Sequence, residues 1–229
     1  MPNWCENTLE VKGPVRALRA FVEAARSPDD TWPISFSSLY PCPPSLSAVG
    51  SGSGDEVYDL YFGDVKKAMR YMSSAPAAVR ESREAAIAWY EENMARGAVS
   101  PRQVAEAYKA NVDQYGHKNW YEWSVANWGT KWDLSEPQVT DNPHLSDLIE
   151  LATASDEEPV TSISYAFATA WSPPVAGFAK ISLDYPALTF TLDYEEEGMS
   201  FAGTDTIKNG EVVHADREPT PREDTDEEE

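Results

Sequence analysis

Ser162-Ile-Ser-Tyr-Ala-Phe-Ala-Thr-Ala-Trp171, with Ser172-Pro-Pro174 directly behind it, is the stretch that decides the fold. Large side chains alternate with Ser and Ala along it, the period-two pattern of a strand with one buried face. Pro173 and Pro174 cannot continue a ladder, and they begin a short helix that runs to about Leu183. Leu188-Thr-Phe-Thr-Leu-Asp-Tyr194 is a strand again. Met199–Thr206 and Ile207–Val213 read as a hairpin turning on Asn209-Gly210. The N-terminal part shows the same order. Asn7-Thr-Leu-Glu-Val-Lys-Gly13 alternates and stops at Gly-Pro. Val15, Leu18, Phe21, Val22 and Ala25 then recur at helical spacing over 14–26. Ser27-Pro-Asp-Asp30 ends that helix, and Ile34-Ser-Phe-Ser-Ser-Leu-Tyr40 reads as a second strand halted by Pro41-Cys-Pro-Pro44. Two strand–helix–strand halves predict an α+β, ferredoxin-like (split βαβ) sandwich.

Between the halves the pattern turns helical. Ser45 to Gly54 has the composition of a flexible linker, and its Gly50, Gly52, Gly54 spacing matches neither a dinucleotide fingerprint nor a P-loop. Asp64 is placed to cap a helix reaching about Ser74. A second helix spans about Ala77 to Arg96, with Ile87, Tyr90 and Met94 on one face and Gly97 as its C-terminal cap. Ser100-Pro-Arg-Gln103 is a capping box with Pro at the first helical position, opening a helix that turns Val104, Tyr108 and Val112 inward and ends at Gly116. These helices define an insertion at about 64–118. A polar, helix-capable segment follows at about 143–154. From Asp216 on, eight acids and two Arg with no apolar side chain beyond Pro read as a disordered acidic tail over 216–229, leaving 1–215 as the ferredoxin-like domain.

The chain has 229 residues, 41% of them hydrophobic and 11% aromatic, enough for a real core. It carries 39 acids against 18 bases, a formal charge of −21, and about −15 of that lies outside the tail. Such a surface argues against gripping a phosphate backbone, which needs clustered Lys and Arg. No run of 18 apolar residues is present, and Met1-Pro-Asn-Trp-Cys-Glu-Asn7 lacks the basic and apolar regions of an export signal. The expected setting is the cytoplasm, where Cys5 and Cys42 stay free thiols. His117, His144 and His214 are far apart and form no metal-ligand pattern, and no nucleophile elbow occurs. No cofactor and no metal are expected.

Pro2-Asn-Trp-Cys-Glu-Asn7 resembles the N-terminal signature of the YubB-type ferredoxin-like domain family of uncharacterised plasmid and bacteriophage proteins. Asn127-Trp-Gly-Thr-Lys-Trp-Asp133, Thr169-Ala-Trp-Ser-Pro-Pro174 and Tyr194-Glu-Glu-Glu-Gly198 with Phe201 and Gly203 are similar to further blocks of that family, in the same order. The resemblance implies the fold and an origin on a mobile genetic element. It carries no catalytic residues, because none are established for the family.

The candidate ligand- or partner-binding residues are Trp120, Trp123, Asn127, Trp128, Lys131, Trp132, Asp133 and Trp171. Four of the eight Trp fall within thirteen residues here. Rings of this kind either close the sheet against its helices or stack on a partner, and Asn127, Thr130, Lys131 and Asp133 around Gly129 suit a tight turn, with a pocket lining as the alternative. Glu195, Glu196 and Glu197 with Asp193 read as a solvated turn, with cation binding as the alternative. The resulting expectation is a non-enzymatic accessory protein of a bacteriophage or plasmid, in the host cytoplasm. It binds a host protein with a basic surface, as an inhibitor or an acidic nucleic-acid mimic, and makes no direct contact with nucleic acid or membrane. The alternative is a small-ligand-binding protein or enzyme with its site near the Trp-rich turn at 120–133.

Overall fold

Alternation along Trp4–Pro14 puts Cys5, Leu9 and Val11 on one side of strand β1 and Trp4, Glu6 and Thr8 on the other. The computed structural model describes residues 3–50, 53–72, 74–93, 99–141 and 158–219. Within these, β1 is followed by helix α1 (Val15–Ala25), whose Val15, Leu18, Phe21 and Ala25 form the buried stripe that the spacing predicts. The remaining strands are β2 (Ser135–Asp141), β3 (Val160–Ala170), β4 (Thr189–Glu196), β5 (Phe201–Lys208) and β6 (Glu211–Pro219). They form one antiparallel sheet in the order β2-β3-β1-β4-β5-β6. Its first four strands have the ferredoxin-like order, and the β5–β6 hairpin widens the sheet beyond β4. Helix α9 (Val175–Asp184) joins β3 to β4.

The helices cover one face. Phe21 meets Tyr165 and Phe190 edge-on, and Phe178 of α9 lies against Phe167 and Phe190. With Leu9, Val11, Ile163, Ile181, Leu192 and Ile207 these fully or nearly fully buried side chains make the core. Burying each contributes roughly 1.5–3 kcal/mol. The hairpin turns on Asn209 and Gly210, both at positive φ (50° and 83°), as a type I′ turn requires.

Three expectations are corrected. Ile34–Tyr40 is not a strand: it holds the short helix α2 (Phe36–Leu39), and the second strand of the fold is β2, after the helical segment. The reason lies 98 positions away. The Asp133 carboxylate accepts from Phe36 N (2.7 Å), Ser37 N (3.0 Å) and the hydroxyls of Ser35 and Ser37. That satisfies the first turn of a helix and draws Phe36 onto Trp128 (ring centroids 5.4 Å, stacked) and Phe178. Gly177 makes this possible, since a Cβ there would stand 2.9 Å from the Phe36 ring. Ser45–Gly54, read as a linker, carries part of helix α3 (Pro44–Ser47) and the start of α4 (Ser53–Tyr61). Asp216–Pro219, read as the start of the tail, pair with β5 as the end of β6. The rest of the tail lies outside the described residues, as do Gly97 and the segment at 143–154.

Contacts divide the chain into two units: residues up to Pro41 with those from Ser124 on, and Cys42–Trp123. The second unit contains α3, α4, α5 (Val65–Tyr71), a 3₁₀ turn (Ala77–Glu81), α6 (Arg83–Asn93) and α7 (Pro101–Tyr115). Its core is Val57, Leu60, Tyr61, Ala68, Met72, Ala86, Tyr90 and Ala105. Asp64 caps α5 by accepting from Lys66 N, and α7 opens with the full Ser100/Gln103 capping box and closes on Gly116 at φ 75°. Helix α8 (Trp120–Asn127) spans the junction of the two units in sequence.

Candidate functional site

The face of the sheet opposite α1 and α9 is lined by small and acidic residues. Cross-strand pairing sets them in rows. One row reads Ser135, Ala168, Glu6, Glu195, Ala202 and Glu218 from β2 to β6. The next reads Gln138, Ala166, Thr8, Asp193, Thr204 and Asp216. Among the described side chains four carboxylates, those of Glu6, Glu195, Asp193 and Asp216, occupy these two rows and no Lys or Arg does. Neighbouring strands are about 4.8 Å apart and a two-residue step is about 6.8 Å, so the carboxylates of Glu6, Glu195, Asp193 and Asp216 gather in one patch. Lys12 and Lys208 stand at the far ends of β1 and β5.

Glu6 and Glu195 are directly opposite each other, an arrangement that destabilises a sheet. Among the described residues neither side chain has an ion-pair or hydrogen-bond partner. Thr204 Oγ1 donates to Asp193 (2.5 Å) one row further on. The small residues leave hollows. One of about 510 Å³ is lined by Glu6, Thr8, Asp193, Glu195, Gly203 and Asp216 among others. Another of about 370 Å³ runs from Trp4 and Glu6 to Ser135 and Gln138. A third, also about 370 Å³, lies between Trp4, Glu6, Glu195 and Glu197. Glu6 belongs to all three.

The residues singled out from sequence fall into separate environments. Trp128 is buried on Phe36, and its indole N–H donates to Tyr40 O (2.8 Å). Asn127 is buried and accepts from Lys180 Nζ, an ammonium held below the usual lysine range by its own burial and 5.5 Å from the Tyr40 ring. Thr130 donates to Ala170 O. Asp133 caps α2. These groups hold the turn together. Trp120 and Trp123 lie on α8, Trp123 buried and Trp120 edge-on to Tyr121. Trp132 and Trp171 are different: they are 39% and 46% exposed. Trp132 lies 6.3 Å from the Trp4 ring, and Lys131 Nζ sits 4.4 Å from its centroid. Trp171 has φ 74°, and its backbone N–H donates to Asn3 O.

Sequence reading missed Trp4, Glu6 and Asp216 as parts of one surface. The strand alternation around Trp4 and Glu6 was the available signal, but it does not say which strands are neighbours. Within the run at 195–197 the structure separates roles. Glu195 and Glu197 are exposed, whereas Glu196 is buried and accepts from Gly198 N (3.0 Å) and Met199 N (2.5 Å), fixing the β4–β5 turn.

Both cysteines are free thiols. Burial pushes Cys5 up to about 12, so it stays protonated and unreactive at neutral pH. Among the described residues no three His, Cys, Asp or Glu are grouped to hold a metal ion, and no helix is long and apolar enough to cross a membrane.

Residues 150–229 match the family model for the ferredoxin-like domain in Api92-like protein. That span includes β3, α9 and β4–β6, and it agrees with the fold. The chain is also similar to the crystal structure of a protein, api92, from Yersinia pseudotuberculosis, at 12% identity and a TM-score of 0.44, with 96% of this chain and 99% of that chain covered. No curated protein matches it.

Proposed function

We propose that this chain is a non-enzymatic accessory protein of a bacteriophage or plasmid, acting in the host cytoplasm by binding a basic host protein. The observation that carries this reading is the pair of carboxylate rows on the uncovered sheet face, with Glu6 opposite Glu195. Folding gains nothing from that pairing, whereas a cationic partner would relieve it. Ferredoxin-like sheets that bind nucleic acid do so with aromatics on that face beside basic groups. Here the two central rows hold neither. Carboxylates at these spacings act instead as a polyanion, so the host protein would be one whose own ligand is nucleic acid, held in competition with it. The small-ligand reading of the Trp-rich turn is less favoured, because Asn127, Trp128 and Asp133 are committed to packing and capping.

The test is capture from nuclease-treated bacterial lysate with the full chain beside one ending at Pro219. The expected result is a stoichiometric basic protein retained by both, eluted by salt and displaced by duplex DNA. Retention of no basic protein, or of one that DNA leaves in place, overturns the reading in whole or in its mimic form.

A further inference from the structure

The end of the open face at Trp4 differs from the rest of it. Trp4 is 41% exposed, and Trp132 beside it is also open to solvent. Trp4 points to the same side of β1 as Glu6, about 6.8 Å further along the strand, and Glu195 stands across from Glu6 on the next strand. The hollow between Trp4, Glu6, Glu195 and Glu197 therefore has an aromatic wall on one side and carboxylates on the other. Its neighbours are small, Ala168 and Ala202 in the Glu6 row and Gly198 at the turn. Two exposed indoles are an apolar patch of the kind that marks a docking surface. Trp171 adds to this. A bulky L-residue at φ 74° costs about 1–2 kcal/mol of backbone strain, and Trp171 is 46% exposed.

An indole face next to paired carboxylates is complementary to one common protein group. A guanidinium is planar, stacks on an indole within about 6 Å, and offers paired N–H donors to carboxylates. An ammonium presents a point charge and has no plane to stack. The net charge of −21 works against a second copy of this chain as occupant, and the sign of the hollow works against nucleic acid.

We propose that this hollow seats an arginine side chain of the basic partner, its guanidinium stacked on Trp4 and paired with Glu6 and Glu195. The proposal rests on the reading that the chain binds a basic protein, and it names the contact and its chemistry.

The experiment titrates the full chain with penta-arginine and penta-lysine, each acetylated and amidated, by calorimetry at low and at physiological salt. Penta-arginine is expected to bind about three-fold or more tightly than penta-lysine, the size of an exposed cation–π contact. Glu6→Gln with Glu195→Gln should weaken both peptides at least about tenfold, as loss of two close charges does. Glu23→Gln with Asp184→Asn removes the same charge from the helices on the opposite side of the sheet and should change affinity less than about twofold. Trp4→Leu should reduce penta-arginine to the affinity of penta-lysine. The Gln pair relieves a like-charge contact, so its urea midpoint should equal or exceed that of the parent, which keeps the test independent of Trp4→Leu folding. Equal effects of the Gln pair and the control pair would overturn the proposal while leaving the basic-partner reading intact. Equal affinity for the two peptides would remove the arginine assignment. No binding of either peptide at low salt would overturn both readings.

Discussion

Removing the Arg217 side chain should destabilise the sheet more than any exposed residue normally does. Asp205 is on the helix-covered side of β5 and is 0% exposed. Its carboxylate receives Arg217 Nη2 on both oxygens at 3.0 Å, Arg217 Nε at 3.3 Å and the Tyr194 hydroxyl at 3.2 Å. Arg217→Ala leaves this buried charge with the Tyr194 hydroxyl alone. Orphaning one member of a buried pair costs about 3–5 kcal/mol. The Arg217 side chain is itself 60% exposed, so water reaches the pair and the screened cost falls to about 2–3 kcal/mol. The assay is urea unfolding at pH 7 followed by tryptophan fluorescence, run as a double-mutant cycle with Asp205→Asn. Arg217→Ala alone should lower the midpoint strongly. In the Asp205→Asn background the same change should cost under about 1 kcal/mol, because no buried charge is left behind. A chain ending at Ala215 should behave like Arg217→Ala or worse, while one ending at Pro219 should match the full chain. Additive losses in the cycle, or a cost under 0.5 kcal/mol (roughly that of an ordinary surface change) for Arg217→Ala, would refute the reasoning.

Three further outcomes follow from the same geometry. Asp133→Ala removes the cap of α2 and should cost about 2 kcal/mol, read as a shift in urea midpoint, with Asp133→Asn costing less because its amide oxygen still accepts. Cys42, half-buried, should react with iodoacetamide in the native protein and Cys5 only after unfolding. Cys5 is protonated to about 12 when folded and to the ordinary thiol value of 9.0 when unfolded. Its contribution is therefore whole below pH 9 and is lost as pH rises toward 12, a loss that Cys5→Ala should flatten in urea midpoints taken from pH 8 to 11. Trp171→Gly loses the half-buried indole but relieves the positive φ, so it should cost about 1 kcal/mol less in urea unfolding than Trp171→Ala, which keeps the strain, and an equal or greater cost would refute the strain reading.

Local patterns sufficed wherever a segment carries its own information. The apolar stripe of α1, the alternation of β1, β3 and β4, the Asn209-Gly210 turn and the Ser100/Gln103 box all depend on residues within a few positions of one another, and all form as read. These were enough for the ferredoxin-like class. The candidate site was legible only in pieces. The block ending at Asp133 was visible as a feature, but its buried members hold a turn and its exposed member, Trp132, meets a ring 128 positions earlier. Tertiary structure alone decided three things. It turned residues 34–40 from a strand into a cap-bound helix, through a carboxylate 98 positions on. It drew Asp216–Pro219 into the sheet, where Arg217 neutralises a buried acid. It set Glu6, Asp193, Glu195 and Asp216 on one face, from three strands of which the sequence shows only the alternation. Period-two patterning tells which face a residue takes. Which strands are neighbours depends on how the whole chain closes its core, and the charge of the open face exists only once they are.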